Sequence, residues 1–260
     1  MYRTGNNFRA ASAALGLTLL ILIGLPFVTL FWALRLDKVR AASALLFYRA
    51  GARIAGLQIH VKGEVSRERP LMLVSNHSSY LDVFIIGSIV RVSFTPKKEV
   101  RSWPLIGFMC LLADCVFVER RPAEMQAASV EMRKRLSKGK VLCLFPEGTT
   151  SDGFHIKPFK SGFLSLAELH NIPVQPASIA YTHIGGEAIT AERREEVAWV
   201  GEATFFAHFW HFLSLPKVRV EVELHPTRHM SEFRDRKALT QACEQTVVAG
   251  VNQLFKAAAV

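Results

Sequence analysis

Residues 10–34 run for 25 positions without one charged side chain. A helix needs roughly 20 apolar residues to cross a bilayer core, so this run ties one end of the chain to lipid. A cleaved secretory signal has a shorter apolar region and small residues at its end, whereas this run closes on bulky Phe31, Trp32 and Leu34. Pro26 removes one helical hydrogen bond, so the run reads either as one kinked span or as two shorter helices in the interface. Arg35, Lys38, Arg40, Arg49 and Arg53 follow the run, against Arg3 and Arg9 before it, which predicts a cytoplasmic face for the rest of the chain at an inner membrane. Residues 40–56 interleave Leu45, Leu46, Tyr48 and Ile54 with arginines. That pattern fits a basic amphipathic helix on an anionic leaflet, and equally a helix packed on its own domain.

Charge is concentrated beside the apolar run. The chain carries 32 basic and 22 acidic residues, a net +10, and residues 1–60 alone hold seven basic residues against Asp37. A lipid headgroup is therefore a better partner than a nucleic acid, for which no recognition motif is present. Half of the residues are hydrophobic and 21% are charged, which excludes a disordered chain. Four cysteines make no disulfide framework, and no zinc spacing appears among them. We divide the chain into an anchor with its amphipathic helix, 1–56, and a folded domain, 57–260.

From residue 57 short apolar runs alternate with helical patterns, as in an α/β domain. Predicted strands are 57–62, 71–75, 92–95, 115–118, 141–145, 174–181 and 218–224. The last alternates valine with charge and should be half exposed; the others read as buried on both faces. Predicted helices are 80–90, 104–112, 123–137, 162–170 and 233–255. Residues 183–215 give no clear pattern, although Phe205, Phe206, Phe209, Trp210 and Phe212 cluster there as core or as a membrane-facing lip.

Three strand ends carry chemistry. The first runs into Asn76, His77, Ser78, Ser79, Tyr80, Leu81 and Asp82. On a continuous helix His77 and Asp82 would lie about 140° apart, so they meet only if His77 sits in the loop before the helix. Ser79 and Asp82 resemble a capping box with Ser79 as N-cap, which leaves a plain cap as the competing reading to a dyad in which Asp82 orients the imidazole as a general base. The second strand end, Pro146-Glu147-Gly148-Thr149-Thr150-Ser151, offers donors and backbone N–H groups for an oxygen-rich substrate, or is a tight turn that needs Gly148. The third places Arg120 and Arg121 after Phe117 and Val118, where guanidinium suits phosphate oxygens or is a solvated basic turn.

In this order and spacing the segments resemble the lysophosphatidic acid acyltransferases of the glycerolipid acyltransferase superfamily. The matching blocks are Asn76-His77-x4-Asp82, Phe117-Val118-x-Arg120, Phe145-Pro146-Glu147-Gly148-Thr149 and Pro173-x-x-Pro176. The resemblance implies a mixed central sheet flanked by helices behind an N-terminal anchoring segment. It also implies acyl transfer from acyl-CoA or acyl carrier protein to the free hydroxyl of 1-acyl-glycerol-3-phosphate, with no permanently bound cofactor and no metal. His77 and Asp82 would be catalytic. Arg120, Glu147, Gly148, Thr149, Thr150 and Lys160 would bind substrate, with Asn76, Phe117 and Pro146 in support. Two positions depart from the family: Asp114 stands where glycine opens the second block, and Thr150 where arginine often follows the third. Lys157 or Lys160 could replace that guanidinium, or the acceptor could be another lysolipid such as lyso-ornithine lipid. A lipid-binding protein without catalysis fits the charge pattern as well, but has no use for the dyad.

Overall fold

The computed structural model describes residues 5–118, 122–201 and 203–258, with main chain only over 122–127. In chain order the elements are α1 (Asn7–Ala33), α2 (Asp37–Ala55), β1 (Leu57–Lys62), β2 (Leu71–Ser75), α3 (Asp82–Ile89), β3 (Val92–Phe94), α4 (Ile106–Leu112), α5 (Pro122–Leu136), β4 (Val141–Leu144), α6 (Ser165–His170), β5 (Val174–Ile184), β6 (Glu187–Ala188), α7 (Phe205–Ser214), β7 (Val218–Leu224) and α8 (Arg236–Ala258).

The sheet runs β1-β7-β5-β2-β4-β3, with β6 paired on β5. It is mixed: β5, β2, β4 and β3 pair in parallel, β7 is antiparallel to β5, and β1 is parallel to β7. Alternation along the strands builds two cores. Leu71, Leu73, Val141 and Cys143 point to one face, where α1, α2, α3 and α7 pack, while Met72, Val74, Leu142 and Leu144 point to the other, under α5, α6 and α8. Fully buried β2 and β4 explain why both read as unbroken apolar runs. In α8 Leu239, Cys243, Val247 and Val251 repeat every four residues and form the buried stripe.

Several expectations change. β1 is largely exposed rather than buried on both faces, because it is the sheet edge. Residues 115–118 lie beside β3, with the Val116 and Val118 N–H groups donating to the Phe94 and Pro96 carbonyls, but only Val118 makes a bridge, to Lys97. The unread stretch 183–215 contains the end of β5 and all of α7. Aromatic residues on several faces blurred the helical period there. Asp114 has a φ of 61°, in the left-handed region that favours glycine, so its backbone does what the family's glycine does. Its carboxylate pairs with Lys140 and Arg135.

α1 is one helix despite Pro26, long and apolar enough to cross a membrane. Its first half is fastened to the domain: Asn6 N–H donates to the Ser214 carbonyl, and Arg9 reaches the Leu213 and Ala55 carbonyls. Small residues let α1 and α2 approach, since Gly16 faces Ile54 and Gly24 faces Phe47.

Candidate active site

The adjacent parallel strands β2 and β4 end side by side, Val74 opposite Leu144. The loops leaving their carboxyl ends therefore meet, which is where open α/β sheets hold ligands. Asn76 anchors the first loop to β5: its side-chain Nδ2 donates to the Ile179 carbonyl and its Oδ1 accepts from the Ile179 N–H, both at 2.9 Å. The amide thus completes a rung that the end of β2 would otherwise leave open.

His77 then sits in the loop, as the spacing required, with Nδ1 2.8 Å from Asp82 Oδ2. The helix starts later than the capping-box reading predicted. Leu81 occupies the N-cap position without a side-chain bond. Asp82 reaches back instead, its Oδ2 accepting from the Ser78 and Ser79 N–H groups at 2.8 and 3.0 Å. Its Oδ1 accepts from the Tyr181 hydroxyl at 2.7 Å. Burial first, then the nearby Asp82 charge, pushes the Tyr181 phenol well above its usual range, so it stays a donor. Asp82 is fully buried, while His77 keeps 20% of its side chain exposed. The imidazole also lies flat on Phe145, centroids 4.1 Å apart and planes at 14°. The ring is thereby held through Nδ1 and one face.

The Phe145–Thr149 turn supports the histidine loop. Glu147, expected at the substrate, is turned inward at 1% exposure. Its Oε1 accepts from the His77 N–H at 2.7 Å and its Oε2 from the Lys157 N–H at 2.8 Å. Glu147 thereby satisfies two part-buried loop N–H groups. Burial raises the Glu147 pKa, against the pull of those N–H groups. Pro146 gives its carbonyl to the Lys160 N–H. Gly148 has a φ of 72°, and a Cβ there would stand 3.0 Å from Lys160 Nζ. Thr149 is exposed, and Lys160 is an exposed cation beside the turn. Thr150 lies deeper: its hydroxyl donates to the Trp199 carbonyl at 2.6 Å, while Lys157 Nζ donates to the Thr150 carbonyl at 2.7 Å. Phe117 is half-buried, with the Arg101 guanidinium 5.9 Å above its ring. Arg120 lies outside the described residues.

Two contributors were not legible from the blocks. Tyr181 sits in β5, 99 residues from Asp82, and Trp199 in a loop that closes over the site. The Trp199 N–H donates to the Ser78 carbonyl at 2.8 Å. Its ring meets Tyr80 and Phe205 edge-on, and Tyr80 bonds His208 Nδ1 at 2.9 Å. The aromatic cluster of 205–212 is therefore core on one side, with buried His208 and Phe212, and lip on the other, with Phe206 80% exposed. Among the described residues no group of three His, Cys, Asp or Glu side chains is placed to hold a metal.

The sheet and the junction of its two loops are those of a lysolipid acyltransferase. Residues 57–180 match the Acyltransferase family. The lyso-ornithine lipid O-acyltransferase of Brucella abortus (strain 2308) is 36% identical, over 92% of this chain and 91% of that protein. The 1-acyl-sn-glycerol-3-phosphate acyltransferase of Neisseria gonorrhoeae is 28% identical, over 83% and 82%. The crystal structure of the 1-acyl-sn-glycerophosphate acyltransferase of Thermotoga maritima shares the fold, with a TM-score of 0.74 and 21% identity over 96% of this chain and 95% of that one. The chain belongs to the lysophosphatidic acid acyltransferase family.

Proposed function

We propose that the protein moves a fatty acyl group from a thioester, on coenzyme A or acyl carrier protein, to the hydroxyl of lyso-ornithine lipid. The observation that carries this acceptor is Thr150. Where a guanidinium would grip a phosphate, this chain has a hydroxyl committed to the Trp199 carbonyl. The greater identity and coverage of the Brucella abortus relative support the same choice over 1-acyl-glycerol-3-phosphate.

In this reading His77 Nε2 takes the proton of the acceptor hydroxyl as its oxygen attacks the thioester carbonyl. The tetrahedral intermediate collapses, the C–S bond breaks, and the thiolate leaves with the proton from His77. Asp82 holds Nδ1–H and balances the charge on the imidazolium while it lasts. No acyl-enzyme forms. Glu147 and Asn76 position the loop rather than touch substrate. Lys160, Thr149 and Arg120 are assigned to the polar head, with Phe117 supporting Arg120. The anchor of residues 1–56 holds the domain on the cytoplasmic face of the inner membrane.

The test is transfer of labelled acyl groups from both donors to lyso-ornithine lipid and to 1-acyl-glycerol-3-phosphate, in membranes carrying the wild type or His77→Ala. Transfer to lyso-ornithine lipid that depends on His77 is expected. Preferential transfer to 1-acyl-glycerol-3-phosphate would overturn the acceptor, and transfer that survives His77→Ala would overturn the dyad.

A further inference from the structure

A cavity of about 670 Å³ lies away from the dyad, between α2, the C-terminal end of α3 and the outer side of β1. Arg49, Ala52 and Arg53 line it from α2 at i, i+3 and i+4, one stripe of the helix. A different stripe of α2 meets α1, where Phe47 lies against Gly24 and Ile54 against Gly16. Arg9 of α1, which donates to the Ala55 carbonyl, lies against Gly56 in the lining, so the cavity adjoins the apolar helix.

Its lining is divided. Ala52, Ile59 and Ile89 supply apolar surface, while Arg49, Arg53 and Lys217 supply three cations, and no acidic side chain lines it. Some basic side chains of the domain are paired, as in Lys62 with Glu223, Arg193 with Glu187 and Arg219 with Glu221. Arg53 and Lys217 have no ion-pair partner among the described residues, and Arg49 spends only Nε, on the Ser88 carbonyl at 2.8 Å. Three exposed cations around one concavity favour an anion there, and guanidinium matches phosphate oxygens in pairs. β1 is an edge strand, so backbone N–H groups on its outer side lack a strand partner.

We propose that this cavity holds the phosphate head of an anionic membrane lipid, with part of an acyl chain on its apolar side. The apolar wall and the neighbouring α1 favour a lipid over a soluble phosphate. Three cations in a concavity suit one small head better than the extended face of an acidic protein.

The experiment is calorimetric titration of the full chain in neutral detergent with dihexanoyl-phosphatidylglycerol, dihexanoyl-phosphatidylcholine, inorganic phosphate and acyl carrier protein. Wild type should bind the phosphatidylglycerol saturably and the other two small probes far more weakly. Arg53→Gln/Lys217→Gln should weaken that binding at least about tenfold, and the charge-keeping Arg53→Lys/Lys217→Arg should retain it. Lys160→Gln, at the turn assigned to the acceptor's polar head, should also retain it, separating the cavity from the acceptor site, and thermal midpoints should show that each variant is folded. Unchanged affinity in Arg53→Gln/Lys217→Gln, or loss in Lys160→Gln, overturns the proposal. Phosphate binding as tightly as the lipid would make this a soluble-anion site. Loss of carrier-protein binding alone would make it a protein dock.

Discussion

The Tyr181 hydroxyl donates to Asp82 Oδ1 at 2.7 Å, joining the end of the long central strand to the carboxylate that holds His77. Without it one buried oxygen of Asp82 has no partner among the described residues. Tyr181→Phe should cost about 1–3 kcal/mol of stability and slow acyl transfer by loosening the carboxylate. Denaturant unfolding and kcat measured on the same preparation check both effects, and an unchanged kcat would remove Tyr181 from the positioning role.

His77→Ala should lower kcat by about 10²–10⁴-fold with little effect on unfolding. Asp82→Asn should lower kcat and stability together, because an amide nitrogen cannot accept from the donors that Asp82 now satisfies. Comparing thermal midpoints of the two variants separates a chemical role from a structural one.

Thr150→Arg restores the guanidinium that family members carry and removes the bond to Trp199. Acceptor preference should move toward 1-acyl-glycerol-3-phosphate, read as the ratio of kcat/KM for the two lysolipids. Thr150→Val, which removes the bond without adding charge, should lower activity on both and leave the ratio alone.

Gly148→Ala places a Cβ at a backbone angle of φ 72° and 3.0 Å from Lys160 Nζ. The backbone strain should cost about 1 kcal/mol. If Lys160 meets the polar head, KM for the lysolipid should rise more than kcat falls.

Burial lowers the His208 pKa to about 4. The folded state therefore resists protonation that the unfolded chain accepts near its ordinary value of about 6.5. The stability this gives is complete above that value and is lost as pH falls from there toward 4. The loss should reach roughly 3 kcal/mol. Unfolding free energies of wild type and His208→Asn between those limits should converge as the solution becomes more acidic.

The sheet was legible because β2, β4, β5 and β7 differ in how they are covered, and coverage writes itself into the run of apolar residues. β1 misled because it lies at an edge, where only Leu57 of its apolar residues is buried. The contact of His77 with Asp82 was legible because five residues and a loop suffice to bring them together. Tyr181 and Trp199 were not, since each reaches the site through tertiary packing that leaves no local spacing. The role of Glu147 was hidden for a related reason: a carboxylate that braces two backbone N–H groups looks, in sequence, like one that faces a ligand.

The loop carrying His77 is tied on both flanks, to β5 through the Asn76 amide and to the neighbouring turn through Glu147 and Ser151. It is a fixed anvil, with little freedom to follow a substrate into place. In the proposed reaction alignment is then left to the incoming lipid, and the hydroxyl's depth above the membrane becomes a ruler. A lysolipid whose hydroxyl lies at another distance from its head would bind and yet remain unacylated, a selectivity by reach that substitutions at the head-binding residues would not repair.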